Sequence, residues 1–182
     1  MGADYARNNS IKLAKGRFIA FIDADDLWLP HKLKSQIQFM RENRVDLSYS
    51  SYYQIDESGK RNGKIIKAKN SLDYHDLLKN NYIGCLTAIY DTQRIGKVYM
   101  PNIRKRQDWA LWLKISKLTD KLQGVEEPLA EYRVRNESIS SRKINLLKYN
   151  WKIYRDVERF PRFKSLALLT RFLFYFLIKK IN

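Results

Sequence analysis

The sequence predicts an α/β protein, and three observations predict it. RFIAFI (17–22) is a continuous apolar run of strand length that stops abruptly in DADD, the pattern of a strand buried on both faces. VDLSYSSYYQID (45–56) alternates and is rich in strand-forming residues. Elsewhere apolar residues recur at helical spacing, as at Leu33, Ile37 and Met40 or Phe39. With 182 residues, 45% of them hydrophobic, the chain suffices for one ordinary domain with a core and falls short of two.

The elements follow in order. SIKLAKG ends an amphipathic helix, with Ile11, Leu13 and Ala14 on its apolar side and Gly16 where a left-handed terminal residue is wanted. After the 17–22 strand, Pro30 suits the first turn of a helix over about 30–43, because its missing N–H has no partner there. Residues 45–68 read as two strands joined by the turn-rich DESGKRNGK. Ser71 is expected to cap a short helix, SLDYHDLLKNN, with Leu72, Leu77 and Leu78 inward. GCLTAIYD is a further strand candidate. QDWALWLKISKL has the broad apolar face of a buried helix, through Trp109, Leu111, Trp112, Leu113, Ile115 and Leu118, with Gly124 as its expected end. GVEEPLAEYRV is extended, and Pro128 is expected to keep it out of the middle of a sheet. From about 142 to 180 two helices are broken at Pro161.

Charge and cysteine usage bound the function. A single Cys85 forms no internal disulfide, and Met1 leads straight into a polar segment rather than a signal peptide, so the reducing cytoplasmic side is the expected compartment. A net charge of +16 calls for an acidic partner: nucleic acid, an anionic membrane surface or a phosphate-bearing substrate. Residues 142–182 hold eleven Lys/Arg against two Asp/Glu, yet also the most apolar run, LALLTRFLFYFLI, which argues against a nucleic-acid surface. A helix over 166–178 would measure about 20 Å, short of the roughly 30 Å hydrocarbon core of a bilayer. Lys164, Arg171 and Lys179 form one narrow basic stripe beside a wide apolar face, an interfacial pattern with Phe172 and Phe176 as apolar contacts. Docking on an anionic cytoplasmic leaflet is the expectation; packing on the domain or on another subunit is the rival.

Asp23, Asp25 and Asp26 crowd three carboxylates into four residues at the end of a buried strand, where open α/β sheets place their ligands. Such carboxylates repel unless a cation is present, and an Asp-X-Asp pair of hard oxygens suits Mg²⁺ or Mn²⁺ held jointly with substrate phosphates. The rival reading is a helix-entry turn with Asp26 serving the helix N-terminus electrostatically. His31 and His75 have no metal-like spacing, and Cys85 reads as a small buried side chain. Trp109 and Trp112 read as core rather than as a sugar-stacking platform.

The residues around the carboxylates carry a more specific signal. GADYARNNSIKLAKGRFIAFIDADDLWLPHKLKSQ contains ARN, an A-x-G before an apolar strand, and D-A-D-D-x-W-x-P-x-K-L, in that order. It resembles the family 2 glycosyltransferases of the GT-A fold, bacterial enzymes that use nucleotide-diphosphate sugars. RKRQDWALWLKI is similar to that family's acceptor-side aspartate and apolar helix, and PLAEYRVRNESIS to its late Tyr-Arg and Ser-rich segment. The resemblance covers residues 1 to about 141, leaving 142–182 as a basic amphipathic helical segment.

The resemblance implies roles residue by residue. Asp23 faces the ribose and the metal-bound diphosphate side of the donor, Asp25 is a metal ligand with it, and Asp26 is structural. Arg7 matches an arginine near the nucleotide. Asp108 matches the general base that takes the acceptor hydroxyl proton. Tyr132 and Arg133 match a loop that closes on the donor phosphates, beside Ser138, Ser140 and Ser141. The implied activity is inverting, divalent-cation-dependent transfer of a sugar to a lipid-linked or polysaccharide acceptor in cell-envelope biosynthesis. Two departures stand out. The family's Glu-Asp is here Gln107-Asp108, and the family's first βαβ unit is not recognisable ahead of residue 1, so an upstream segment or a partner chain is expected to supply it. Two other classes compete: a haloacid-dehalogenase-like phosphatase, against which Asp26-Leu27-Trp28 stands in place of D-x-D-G-T, and a non-catalytic remnant that binds membrane or nucleic acid.

Overall fold

The structure is a computed structural model. It describes residues 3–135 and 143–181, with side chains placed for 5–135 and 147–174. Among these residues six strands form one sheet with the order β1-β5-β3-β6-β2, and β4 pairs with β3 off that path. The strands are β1 (Phe18–Ala20), β2 (Leu27–Trp28), β3 (Leu47–Ile55), β4 (Arg61–Ile66), β5 (Ile89–Asp91) and β6 (Leu122–Arg133). The helices are α1 (Ala3–Leu13), α2 (Lys32–Glu42), α3 (Tyr74–Lys79), α4 (Thr92–Ile95), α5 (Gln107–Ile115), α6 (Lys143–Lys152) and α7 (Arg162–Ile181), with a π-helical turn over Ile153–Val157 between the last two.

Alternation along the strands sets the two faces of the sheet. Ile19, Phe21, Leu47, Tyr49, Ala88 and Tyr90 enter the large core with Trp109 and Trp112 of α5. Phe18, Ala20 and Ile89 point the other way, toward Ile37, Phe39 and Met40 of α2. The RFIAFI run is therefore buried on both faces as its composition requires, although only three of its residues pair, in antiparallel register with β5. Phe21 stacks on Tyr90 and meets Trp112 edge-on, whereas Ile22 is already exposed.

Four expectations are corrected. The strand read in GCLTAIYD is a 3-10 turn over Cys85–Thr87 followed by the short β5. Asp73, not Ser71, caps α3 by accepting the Asp76 N–H at 2.6 Å. β6 is interior, parallel to β3 on one side and antiparallel to β2 on the other. Pro128 is tolerated because the β3–β6 register jumps from Ser50↔Val125 to Ser51↔Pro128, and β2 begins to pair only at Ala130; the missing N–H falls at an irregularity. Gly124 lies inside β6 rather than at the end of α5. Its N–H donates to Asn70 O at 2.9 Å, and a Cβ there would stand 2.1 Å from Lys69 O and 2.8 Å from the Tyr49 ring.

The C-terminal helices share the main core. Tyr154 packs edge-on against Trp109 and donates its hydroxyl to Leu78 O at 2.8 Å, and Phe172 of α7 stacks on the same indole. α7 is the second of the two helices expected on either side of Pro161; its 20 residues run beyond the apolar stretch 166–178 at both ends and make it about 30 Å long at 1.5 Å per residue.

Because the backbone of residues 68–70 lies against Gly124, Gly124→Ala forces that segment away from β6. It is expected to lower the unfolding free energy by about 2–4 kcal/mol, read as a lower urea midpoint; a change below about 0.5 kcal/mol would refute that close approach.

Candidate active site

The acidic loop leaves the C-terminal side of β1 and turns back into β2, closed by the Asp26 N–H donating to Asp23 O at 3.1 Å. The Asp26 carboxylate is buried and accepts the backbone N–H of Arg133 at 3.0 Å. Burial, seconded by the charges of Asp25 and Asp23, pushes its carboxyl up to about 6 against the pull of that hydrogen bond. Asp23 and Asp25 stay half-exposed, with their carboxylates toward solvent. Asp26 is thus the structural member of the triplet.

Three arginines answer these charges. Arg7 on α1 pairs through Nη2 with Asp23 and donates Nη1 to Gln107 Oε1 at 3.2 Å. Burial works against its charge, but Cys85, Asp23 and Asp108 outweigh burial and hold its pKa above the ordinary value. Arg133 donates Nε to Asp25 O at 2.9 Å and Nη1 to the carbonyls of Asp56 and Glu57 at 2.9 and 3.0 Å. Its guanidinium anchors the loop. Arg135 places Nη2 3.1 Å from the Asp25 carboxylate.

Asp108 stands in the first turn of α5 beside Gln107 and accepts a hydrogen bond from Asn81 at 2.9 Å. Arg106, in left-handed conformation just before the helix, lies over the rings of Trp109 and Phe172 at 5.4 and 5.7 Å. Its burial lowers its pKa, and the nearby Asp108 works in the opposite direction. Cys85 lies within electrostatic reach of Asp108, Arg7, Asp23 and Asp26; burial first, then Asp108, drives its thiol pKa up. Tyr132, near the end of β6, meets Tyr52 edge-on at 6.0 Å.

The structure therefore brings Arg7, Asp23, Asp25, Asp108, Tyr132 and Arg133 into one region. Sequence reading missed Asn81, Cys85, Arg106 and Arg135 as neighbours of the site. Only Arg135 left a signal, since Tyr132-Arg133-Val134-Arg135 sends two arginines to one side at the strand's period of two. Gln107, noted as a lost charge, is the neutral acceptor that ties Arg7 to α5. Ser138, Ser140 and Ser141 lie outside the described residues.

Two half-exposed carboxylates offer hard oxygens to a divalent ion. Among the described residues no group of three His, Cys, Asp or Glu side chains converges to hold one. An Mg²⁺ or Mn²⁺ ion held there would take its other ligands from water and phosphate oxygens, beside the ion pairs that Asp23 and Asp25 make with Arg7 and Arg135.

On α7, Phe172 is 8% exposed and faces Trp109, so it belongs to the core and not to an outward contact face. The outward apolar residues are Phe163, Leu166 and Phe174, with Ala167 and Thr170 between them and Arg171 alongside. Lys164 is exposed, its ammonium 3.8 Å from the centre of the Phe160 ring. The side chains of Phe176 and Lys179 lie outside the described residues. Among the described residues no helix is long and apolar enough to cross a membrane.

A sequence model of glycosyl transferase family 2 matches residues 1–103, more than half of the chain. The chain belongs to glycosyl transferase family 2. TuaG of Bacillus subtilis (strain 168), named as a glycosyltransferase of teichuronic acid biosynthesis, is 44% identical over 164 residues, 90% of this chain and 65% of its own length. WfgD of Escherichia coli, named a UDP-Glc:alpha-D-GlcNAc-diphosphoundecaprenol beta-1,3-glucosyltransferase, is 36% identical over 170 residues, covering 92% of this chain and 66% of its own. The chain thus spans just under two thirds of the length of these family 2 relatives. The crystal structure of S. aureus TarS 1-349 in complex with UDP-GlcNAc superposes with a TM-score of 0.66 at 17% identity, over 94% of this chain and 52% of that 1-349 chain. The shared architecture is the expected GT-A fold.

Lys32, from the D-x-W-x-P-x-K segment of the family 2 match, is fully buried at the start of α2. Burial lowers its amine to about 7 from an ordinary 10.5. The unfolded chain then binds more protons between pH 7 and 10.5, so this group's burden on stability is greatest below pH 7 and lifts as pH rises toward 10.5. From pH 7 to 9 the native protein is expected to gain on the order of 2 kcal/mol relative to Lys32→Met. Urea midpoints at the two pH values measure it; parallel behaviour of the two proteins would contradict it.

Proposed function

We propose that this chain is catalytic sequence of an enzyme that transfers a sugar from a nucleotide-diphosphate sugar to a lipid-linked or polysaccharide acceptor in cell-envelope polysaccharide biosynthesis. The observation that carries the reading is Arg7, which joins Asp23 of the acidic loop to the Gln107-Asp108 start of α5. One cation thereby joins a donor-side carboxylate to the residue next to a candidate base. The names of TuaG and WfgD support envelope polysaccharides and a diphosphate-linked lipid acceptor, and WfgD and the TarS complex support a UDP-sugar donor.

The chemistry follows from the groups present. Asp108, oriented by Asn81, takes the proton of the acceptor hydroxyl as its oxygen attacks the anomeric carbon from the face opposite the diphosphate, which inverts that centre. The bond from the anomeric carbon to the diphosphate oxygen breaks, and negative charge gathers on the leaving group. Arg135, at the mouth of the loop, is placed to meet that charge, while Arg133 and Tyr132 frame the donor side. A divalent ion held by Asp23 and Asp25 would supply Lewis-acid neutralisation of the diphosphate. The exposed stripe of α7, with Lys164 and Arg171, supports a peripheral seat on the anionic inner face of the cell membrane, within reach of a lipid-linked acceptor.

In the full-length protein, Asp108→Asn is expected to cut transfer at least about 10³-fold while leaving donor affinity within about threefold. Asp25→Ala is expected to abolish divalent-dependent transfer. Radiolabelled UDP-sugar transfer, paired with nucleotide-binding calorimetry, tests both; undiminished turnover in Asp108→Asn removes the base assignment.

A further inference from the structure

Residues 84–87 carry Cys85, which lies within electrostatic reach of Asp23, Asp26 and Asp108, and their four consecutive carbonyls can be accounted for one by one. Gly84 O accepts the Thr87 N–H at 2.9 Å and the Thr87 hydroxyl at 2.7 Å, and Cys85 O accepts the Ala88 N–H at 3.3 Å. These bonds close the turn on itself. The other two carbonyls are held from elsewhere. Leu86 O accepts the indole N–H of Trp28 at 2.8 Å. Thr87 O accepts Lys32 Nζ at 3.0 Å and Gln36 Nε2 at 2.9 Å.

Trp28 and Lys32 come from the segment that leaves the acidic loop. Trp28 lies two residues beyond Asp26, and Lys32 opens α2 with its ammonium 5.5 Å from the centre of the Trp28 ring. Lys32 and Gln36 stand four apart on one face of α2, joined by a 2.5 Å hydrogen bond. Lys32, Gln36 and Thr87 are all fully buried. Among the described residues no carboxylate forms a salt bridge with Lys32. A buried ammonium without a counter-charge is costly, and a methionine of similar length would fill the space without that cost. What methionine lacks is the second donor to Thr87 O, which Lys32 shares with Gln36, and the bond that orients the Gln36 amide toward that carbonyl.

We propose that Trp28 and Lys32 are positioning residues: they hold the 84–87 turn by its Leu86 and Thr87 carbonyls and so fix Cys85 within electrostatic reach of the acidic loop and Asp108. The catalytic consequence rests on the sugar-transfer reading of that site; the tether itself does not. Two side chains thereby link the segment that leaves the acidic loop to the turn that carries Cys85. Gly84 leaves the turn little slack, since a Cβ there would meet the Tyr52 ring at 3.3 Å and Leu86 at 3.4 Å.

Cys85 is the chain's single cysteine and serves as a built-in reporter. The rate of N-ethylmaleimide addition to the full chain at pH 8, followed by intact mass in rising urea, reads opening of the turn apart from global unfolding. Trp28→Phe, which keeps the ring and loses the N–H, and Lys32→Met are each expected to speed addition at least fivefold in the absence of urea, with a shallow urea dependence. Ile115→Val, a comparable loss of packing on α5, should leave the rate unchanged. In the full-length transferase, Trp28→Phe should lower kcat at least fivefold while its urea midpoint falls no further than that of Ile115→Val. Unchanged maleimide rates in both tether variants overturn the proposal, and so does an equal acceleration in Ile115→Val. Should Lys32→Met fail to fold, Trp28→Phe alone decides. If sugar transfer is absent altogether, the thiol rates still judge the tether.

Discussion

Three carboxylates in one four-residue turn repel one another, and the fold is arranged so that cations from distant parts of the chain answer them. Arg7 comes from the first helix, and Arg133 and Arg135 from the far end of β6. Asp26, the buried member, takes no guanidinium and is held by a backbone N–H, with its carboxyl raised to about 6. The division of labour is physical. A buried carboxylate that accepts a backbone amide fixes the turn, and the two half-exposed carboxylates keep oxygens available to a ligand. Since Arg7 also bonds Gln107, the cation that pairs with the loop also touches the start of α5, next to Asp108.

That convergence explains why so much of the fold was legible in the sequence and why particular parts were not. The apolar run 17–22, the alternation at 45–56 and the broad apolar face of α5 each report burial, and burial is what composition encodes. Gly124 and Pro128 misled for the same reason: each was read by its local meaning. One is required by the crossing backbone of Lys69 and the other is tolerated by a register jump, both tertiary events without a local signal. Phe172 was read as outward because its stretch is apolar all round, and only the position of Trp109 shows which side is the core.

The site was legible through compound motifs rather than single residues. Asp23, Asp25, Asp108, Tyr132 and Arg133 came from order and spacing, and Arg7 from three letters ahead of a helix. Asn81, Cys85 and Arg106 had no such pattern, because their relation to the site is purely spatial. Gln107 was visible as a departure, but its use as a neutral hydrogen-bond acceptor for Arg7 depends on the geometry. The buried Lys32 belongs to the same class: the motif displayed it, and the reason for it lies across the sheet at Thr87.

The account depends on the acidic loop being a joint metal and nucleotide site facing α5. Paramagnetic broadening by Mn²⁺ in the ¹H–¹⁵N spectrum of the full chain, recorded with and without UDP, tests this most directly. Two carboxylates alone bind the ion weakly, and added diphosphate completes its shell. The predicted result is broadening centred on Asp23, Asp25 and Asp26, reaching Arg7, Cys85 and Asp108, and sharply strengthened by UDP. Broadening centred elsewhere, or unchanged by the nucleotide, would contradict the account.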